Sequence, residues 1–70
     1  MTYSSEDRLI DELVSIRKKN KMSQTELANN IGVKQQSVSR IERKETGVSL
    51  GLFLSMTDAL GYKLEIVKKR

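Results

Sequence analysis

Apolar residues recur along this chain at spacings of three and four, the signature of helices that each bury one face. Leu9, Leu13 and Ile16, with Ile10 and Val14 beside them, form the first such stripe. The pattern predicts a helix with an acidic opening turn, capped by Ser4 or Ser5 and ending near Asn20 among Lys18, Lys19 and Lys21. A second stripe, Leu27 and Ile31, falls in residues 24–31. It is preceded by Ser23-Gln-Thr-Glu26, a capping box in which the Ser23 hydroxyl accepts from the Glu26 N–H while Glu26 reaches back. Val38 and Ile41 make a third stripe within residues 34–43. A fourth helix follows the candidate cap Ser49, with Leu50, Phe53, Leu54 and Leu60 expected to face inward and Gly61 to stop it. The pattern then changes. Tyr62, Leu64 and Ile66 alternate with Lys63 and Glu65, the period of a strand.

The second and third helices are joined by a tight turn at Gly32, which can take the positive φ that ends a helix. Ala28 leaves room where the two backbones approach, so Leu27 and Ile31 can pack against Val33, Val38 and Ile41. The outer side of the third helix is left with Lys34, Gln35, Gln36, Ser39, Arg40 and Arg43. A helix so furnished is shaped to lie in a DNA major groove, where a Gln amide can bond bidentately to adenine N6 and N7. Arg40 could fork onto guanine or turn aside to a phosphate, and Ser37 could reach either base or backbone. Gln24, at the start of the second helix, can offer its amide and a helix-end N–H to a phosphate oxygen.

A lone strand over about residues 62–68 has nowhere within a helical chain to place its backbone hydrogen bonds. Antiparallel pairing with the same strand of a second copy is the economical solution, with Tyr62, Leu64 and Ile66 as dimerising residues. A frayed tail or an extra helical turn is the alternative. The fold expected from these patterns is mainly α: one domain over residues 1–70, four helices with a helix-turn-helix at 24–43, and a C-terminal β-strand that pairs across a dimer.

Composition narrows the chemistry. Seventy residues make one small domain. Cysteine and histidine are both absent, which excludes disulfides and Cys/His metal sites, and no cofactor is expected. Catalysis would rest on Ser, Lys and carboxylates alone, and the acidic pairs Glu6/Asp11 and Asp7/Asp11 fall on an exposed helical turn, so an enzyme is not expected. No apolar run is long enough to span a bilayer, and a cytoplasmic protein without a membrane partner is the simplest expectation. The net charge of +4 is unevenly spread. Residues 1–16 set Glu6, Asp7, Asp11 and Glu12 against Arg8, whereas residues 17–47 set eight Lys or Arg against Glu26, Glu42 and Glu45. The positive excess thus falls on the helix-turn-helix segment, where it would attract a polyphosphate.

The stretch from Gln24 to Arg43 resembles the helix-turn-helix of the lambda and 434 phage repressor and Cro family. The likeness rests on Leu27, Ala28, Ile31, Gly32, Val33, Val38 and Ile41, and extends over roughly residues 9–61. It implies that Gln35 and Gln36 read base edges. It further implies that Arg43, Lys44 and Thr46, in the loop after the third helix, touch the DNA backbone, and that Arg17 and Glu42 form a structural ion pair. The chain departs from the family in that loop: many relatives have Asn-Gly near positions 43 and 44 and proline near 48, where this chain has Arg43, Lys44 and Val48. The function implied is a transcriptional regulator, most simply a repressor, binding a palindromic double-stranded DNA operator as a homodimer. The shortness and the strand-like ending also resemble small antitoxins of toxin–antitoxin operons, which implies a protein toxin as a second possible partner.

Overall fold

The computed structural model describes residues 5–69, and within them four helices run in the order α1 Ser5–Lys19, α2 Gln24–Ile31, α3 Gln35–Glu42 and α4 Leu50–Ala59. Ser5 is the first residue of α1 and therefore not its cap, and the alternative cap Ser4 lies outside the described residues. Glu6 and Asp7 in the first turn of α1 and Arg17, Lys18 and Lys19 in its last suit the helix dipole. α2 opens on the capping box: Ser23 Oγ accepts from the Glu26 N–H and Glu26 Oε1 from the Ser23 N–H, both at 3.0 Å. It closes at Gly32, whose φ of 76° is the left-handed conformation a side chain would strain. α4 starts at Ser49, whose hydroxyl accepts from the Leu52 N–H, and it stops at Gly61 with φ 84°.

α2 packs on both α3 and α4, and α1 packs on α3. The core is Ile10 and Leu13 from α1, Leu27 and Ala28 from α2, Val38 and Ile41 from α3, and Phe53, Met56 and Leu60 from the α4 region. Ala28 is almost completely buried, as expected of a small residue where helices approach closely. Met22, Ile31, Val33, Val48 and Leu52 close the core's edges.

Two expectations are corrected. α4 does not turn Leu50 and Leu54 inward: they are 68% and 41% exposed, and Met56 and Thr57 are buried instead, Thr57 satisfying its hydroxyl by donating to the Leu54 carbonyl at 2.9 Å. This helix is apolar on nearly every side, so spacing alone does not choose its buried face. The C-terminal strand is also not formed in the single chain. Residues 62–69 carry neither helix nor strand, because a ladder needs a second strand and the regular structure among the described residues is helical. Tyr62 and Leu64 instead border a shallow apolar groove with Leu9, Leu13, Ile16 and Phe53.

Candidate nucleic-acid interface

Helix α3 begins at an unassisted end. Its N-cap is Lys34, with extended backbone and no side-chain hydrogen bond to the first turn. From there the outer side of the helix presents Gln35, Gln36, Ser39, Arg40 and Arg43 along one concave polar surface. Gln35, Gln36, Ser37 and Arg40 are exposed, and Ser39 is half-buried. The opposite side buries Val38 and Ile41, so the core fixes which residues the helix can offer outward.

A relay of hydrogen bonds ties that surface to α1. Arg17 Nε and Nη2 donate to Glu42 Oε2 and Oε1 at 2.6 and 2.9 Å, and Arg17 Nη1 donates to the Met22 carbonyl at 2.8 Å. The two side chains are only 9% and 6% exposed, so the pair is a buried one with its hydrogen bonds filled. Glu42 Oε1 also accepts from Gln24 Nε2 at 2.9 Å, and Gln24 Oε1 accepts from Gln35 Nε2 at 2.7 Å. A carboxylate only accepts, so Gln24 must turn its NH₂ toward Glu42 and its oxygen toward Gln35. Gln35 must then spend one N–H on Gln24, keeping its oxygen and its second N–H for an outside partner. Those are the two groups that a bidentate contact with adenine uses.

Arg43, just past α3, is held on its own side of the molecule. Its Nε and Nη2 donate to Glu45 Oε2 and Oε1 at 2.8 and 3.2 Å, and its Nη1 donates to Ser39 Oγ at 2.7 Å. The Arg43 hydrogen bond holds the Glu45 carboxyl below its ordinary range; desolvation opposes it, and the charges of Arg43 and Arg40 add smaller support. The same contacts raise Arg43 above its usual value.

Lys44 and Thr46 do not join this surface. Lys44 takes a left-handed conformation, φ 62°, and its Nζ lies 2.5 Å from Asp11 Oδ1 on α1. Thr46 borders a separate hollow with Glu6, Asp7, Ile10, Glu45 and Val48. Neither Glu45 nor Asp11 stands out in the sequence as an ion-pair partner. An Arg-x-Glu spacing across a helix end was the available signal for Glu45, whereas Asp11 meets Lys44 only through the tertiary fold. Among the described residues no group of His, Cys, Asp or Glu could hold a metal ion, and no helix is long and apolar enough to cross a membrane.

Comparison with known proteins gives a consistent answer. Antitoxin HigA1 of Mycobacterium tuberculosis, in strains CDC 1551 / Oshkosh and ATCC 25618 / H37Rv, is 35% identical over 60 residues, 86% of this chain and 40% of that protein. An uncharacterized HTH-type transcriptional regulator of Haemophilus influenzae is 39% identical over 62 residues, 89% of this chain and 63% of that protein. The chain thus spans between 40% and 63% of the length of these relatives. HipB, solved as the HipB-O1-O2 complex, has the same fold with a TM-score of 0.83 at 25% identity, covering 97% of this chain and 99% of that one. The helix-turn-helix family model matches residues 13–67, which takes in α2, α3, α4 and the C-terminal part of α1, and the chain belongs to the helix-turn-helix family.

Proposed function

We propose that this chain is a sequence-specific, double-stranded DNA-binding regulator that acts as a repressor by occupying a palindromic operator as a homodimer. The observation that carries the reading is the outer surface of α3, where Gln35, Gln36, Ser39, Arg40 and Arg43 stand together and Gln24 pre-orients the Gln35 amide. With α3 in the major groove, Gln35 and Gln36 read base edges, and each bidentate contact contributes about 1–3 kcal/mol of discrimination. Arg40 extends the readout or clamps the backbone, and Ser37 and Ser39 supply shorter polar contacts. Gln24, Lys34 and Arg43 flank the helix as phosphate contacts. Lys44 is paired with Asp11, so a phosphate contact from it requires leaving that pair.

Dimerisation supplies what one small module lacks, since two recognition helices about 34–36 Å apart read two half-sites. The segment about 62–68 is the proposed seam. Leu64 is seated beside Leu9 and Phe53, whereas Ile66 and Val67 are 103% and 79% exposed in the single chain and gain a partner when two copies pair as strands.

The likeness to HigA1 favours a second role, an antitoxin whose DNA-binding dimer also holds a protein toxin. Expression of the chain with its operon neighbour and recovery of a stoichiometric complex would establish that role. Recovery of the chain alone would leave a free-standing repressor.

The test of the main reading is selection of bound sites from a random duplex library, with the Gln35→Ala/Gln36→Ala double variant alongside. The expected result is a palindrome with half-site centres about 10 bp apart, relaxed or lost in the variant. Salt-sensitive binding with no enriched sequence, shared by the variant, would overturn it.

A further inference from the structure

The Arg43 guanidinium is engaged in a particular way. Its Nε and Nη2 form the edge with which an arginine clasps a phosphate or carboxylate in two parallel bonds. That edge is filled by the two oxygens of Glu45, while Nη1 is held by Ser39. The backbone sets Glu45 there. Lys44 turns left-handed, its N–H donates to the Ile41 carbonyl at 3.0 Å, and the Glu45 N–H donates to the Arg40 carbonyl at 2.9 Å, so the chain folds back over the end of α3. Arg43 and Glu45 are 57% and 52% exposed, so an incoming phosphate can reach the pair and exchange with it. Arg43 also shares its surface with Gln35, Gln36 and Arg40, the side that would meet DNA.

We infer that Glu45 is a built-in attenuator of DNA affinity: its carboxylate stands in for a phosphate on Arg43 in the free protein, and DNA must displace it to gain the Arg43 contact. The inference rests on α3 being the DNA-binding helix. Glu45 is a positioning residue, acting through Arg43, and it sets how readily the protein leaves a site as well as how tightly it holds one.

The experiment is a double-variant cycle. Wild type, Glu45→Gln, Arg43→Ala and the double variant are titrated by fluorescence anisotropy on a duplex carrying the selected palindrome and on a scrambled duplex of equal length. Glu45→Gln is expected to tighten binding by about two- to fivefold, the scale of an exposed ion pair, and to do nothing in the Arg43→Ala background. An equal gain in both backgrounds would mean that Glu45 acts only as a negative charge near DNA, and would overturn the attenuator. Weaker binding by Glu45→Gln would overturn it too, showing that Glu45 presents Arg43 to the DNA instead of withholding it. A wild type that binds neither duplex would be a different failure, that of the DNA-binding reading itself. A readout without DNA is the Arg43 Nε–H resonance, expected to exchange slowly with water in the wild type and faster in Glu45→Gln; equal exchange in the two would remove the pair on which the inference stands.

Discussion

Lys34 occupies a position where a helix ordinarily gains from a hydroxyl or carboxamide, and it makes no such cap. Its ammonium also sits at the positive end of the α3 dipole, where a cation is mildly unfavourable. The arrangement suits an end that faces phosphates and costs stability in the free protein. Lys34→Ser is therefore expected to stabilise the fold by about 1 kcal/mol, a rise in melting temperature of roughly 4–8 °C for a domain of this size, while weakening DNA binding. Thermal melts paired with binding titrations would test this, and a variant melting no higher than wild type would refute it. Gly32 makes the contrasting case. Its φ of 76° demands the left-handed region although space around its Cα is open, so Gly32→Ala would strain the backbone without any steric clash.

At the scale of elements, Arg17 and Glu42 join α1 to the end of α3, and Gln24 brings α2 into the same junction. Removing one partner leaves a buried charge, so Arg17→Met is expected to destabilise by about 3–5 kcal/mol and to lose DNA binding as the fold loosens. Retained melting with selectively lost binding would instead make Arg17 a DNA contact. Ala28→Val should cost about 1–3 kcal/mol by overpacking, read from denaturant midpoints, and a neutral result would mean that α2 and its neighbours tolerate a wider spacing. Much of the element layout was legible in the sequence. The Ser23–Glu26 box, the Ser49 cap and the glycines at 32 and 61 act within a few residues, where spacing carries the information. What was not legible is tertiary. In the α4 region, Phe53 and Leu60 are buried as their spacing suggests. Met56 and Thr57 take the inward places expected of Leu50 and Leu54 because the many apolar residues left the choice to the helix's neighbours, and Lys44 turns to Asp11 because the 43–45 turn aims it at α1.

For the whole molecule, the property to test is whether two copies meet along the proposed seam at 62–68. Ile66→Asp is expected to shift sedimentation from dimer toward monomer and to reduce affinity for a full palindrome by about a hundredfold or more through lost avidity, with little change for a single half-site. A wild type that sediments as a monomer at tens of micromolar would refute the seam at 62–68. The same segment bears on how long the protein lasts. Every residue from Gly61 to Lys69 is exposed, and from 62 to 69 the backbone belongs to no helix or ladder. A protease grips unpaired, extended chain of this kind first. Pairing would hide it, so a newly made, dilute copy should be cut faster than one at a concentration where dimers prevail. Cleavage rates measured across a concentration series would show that protection, and a flat series would remove it. If the protection holds, the lifetime of the protein lengthens as its concentration rises, so its level climbs more than in proportion to its rate of synthesis.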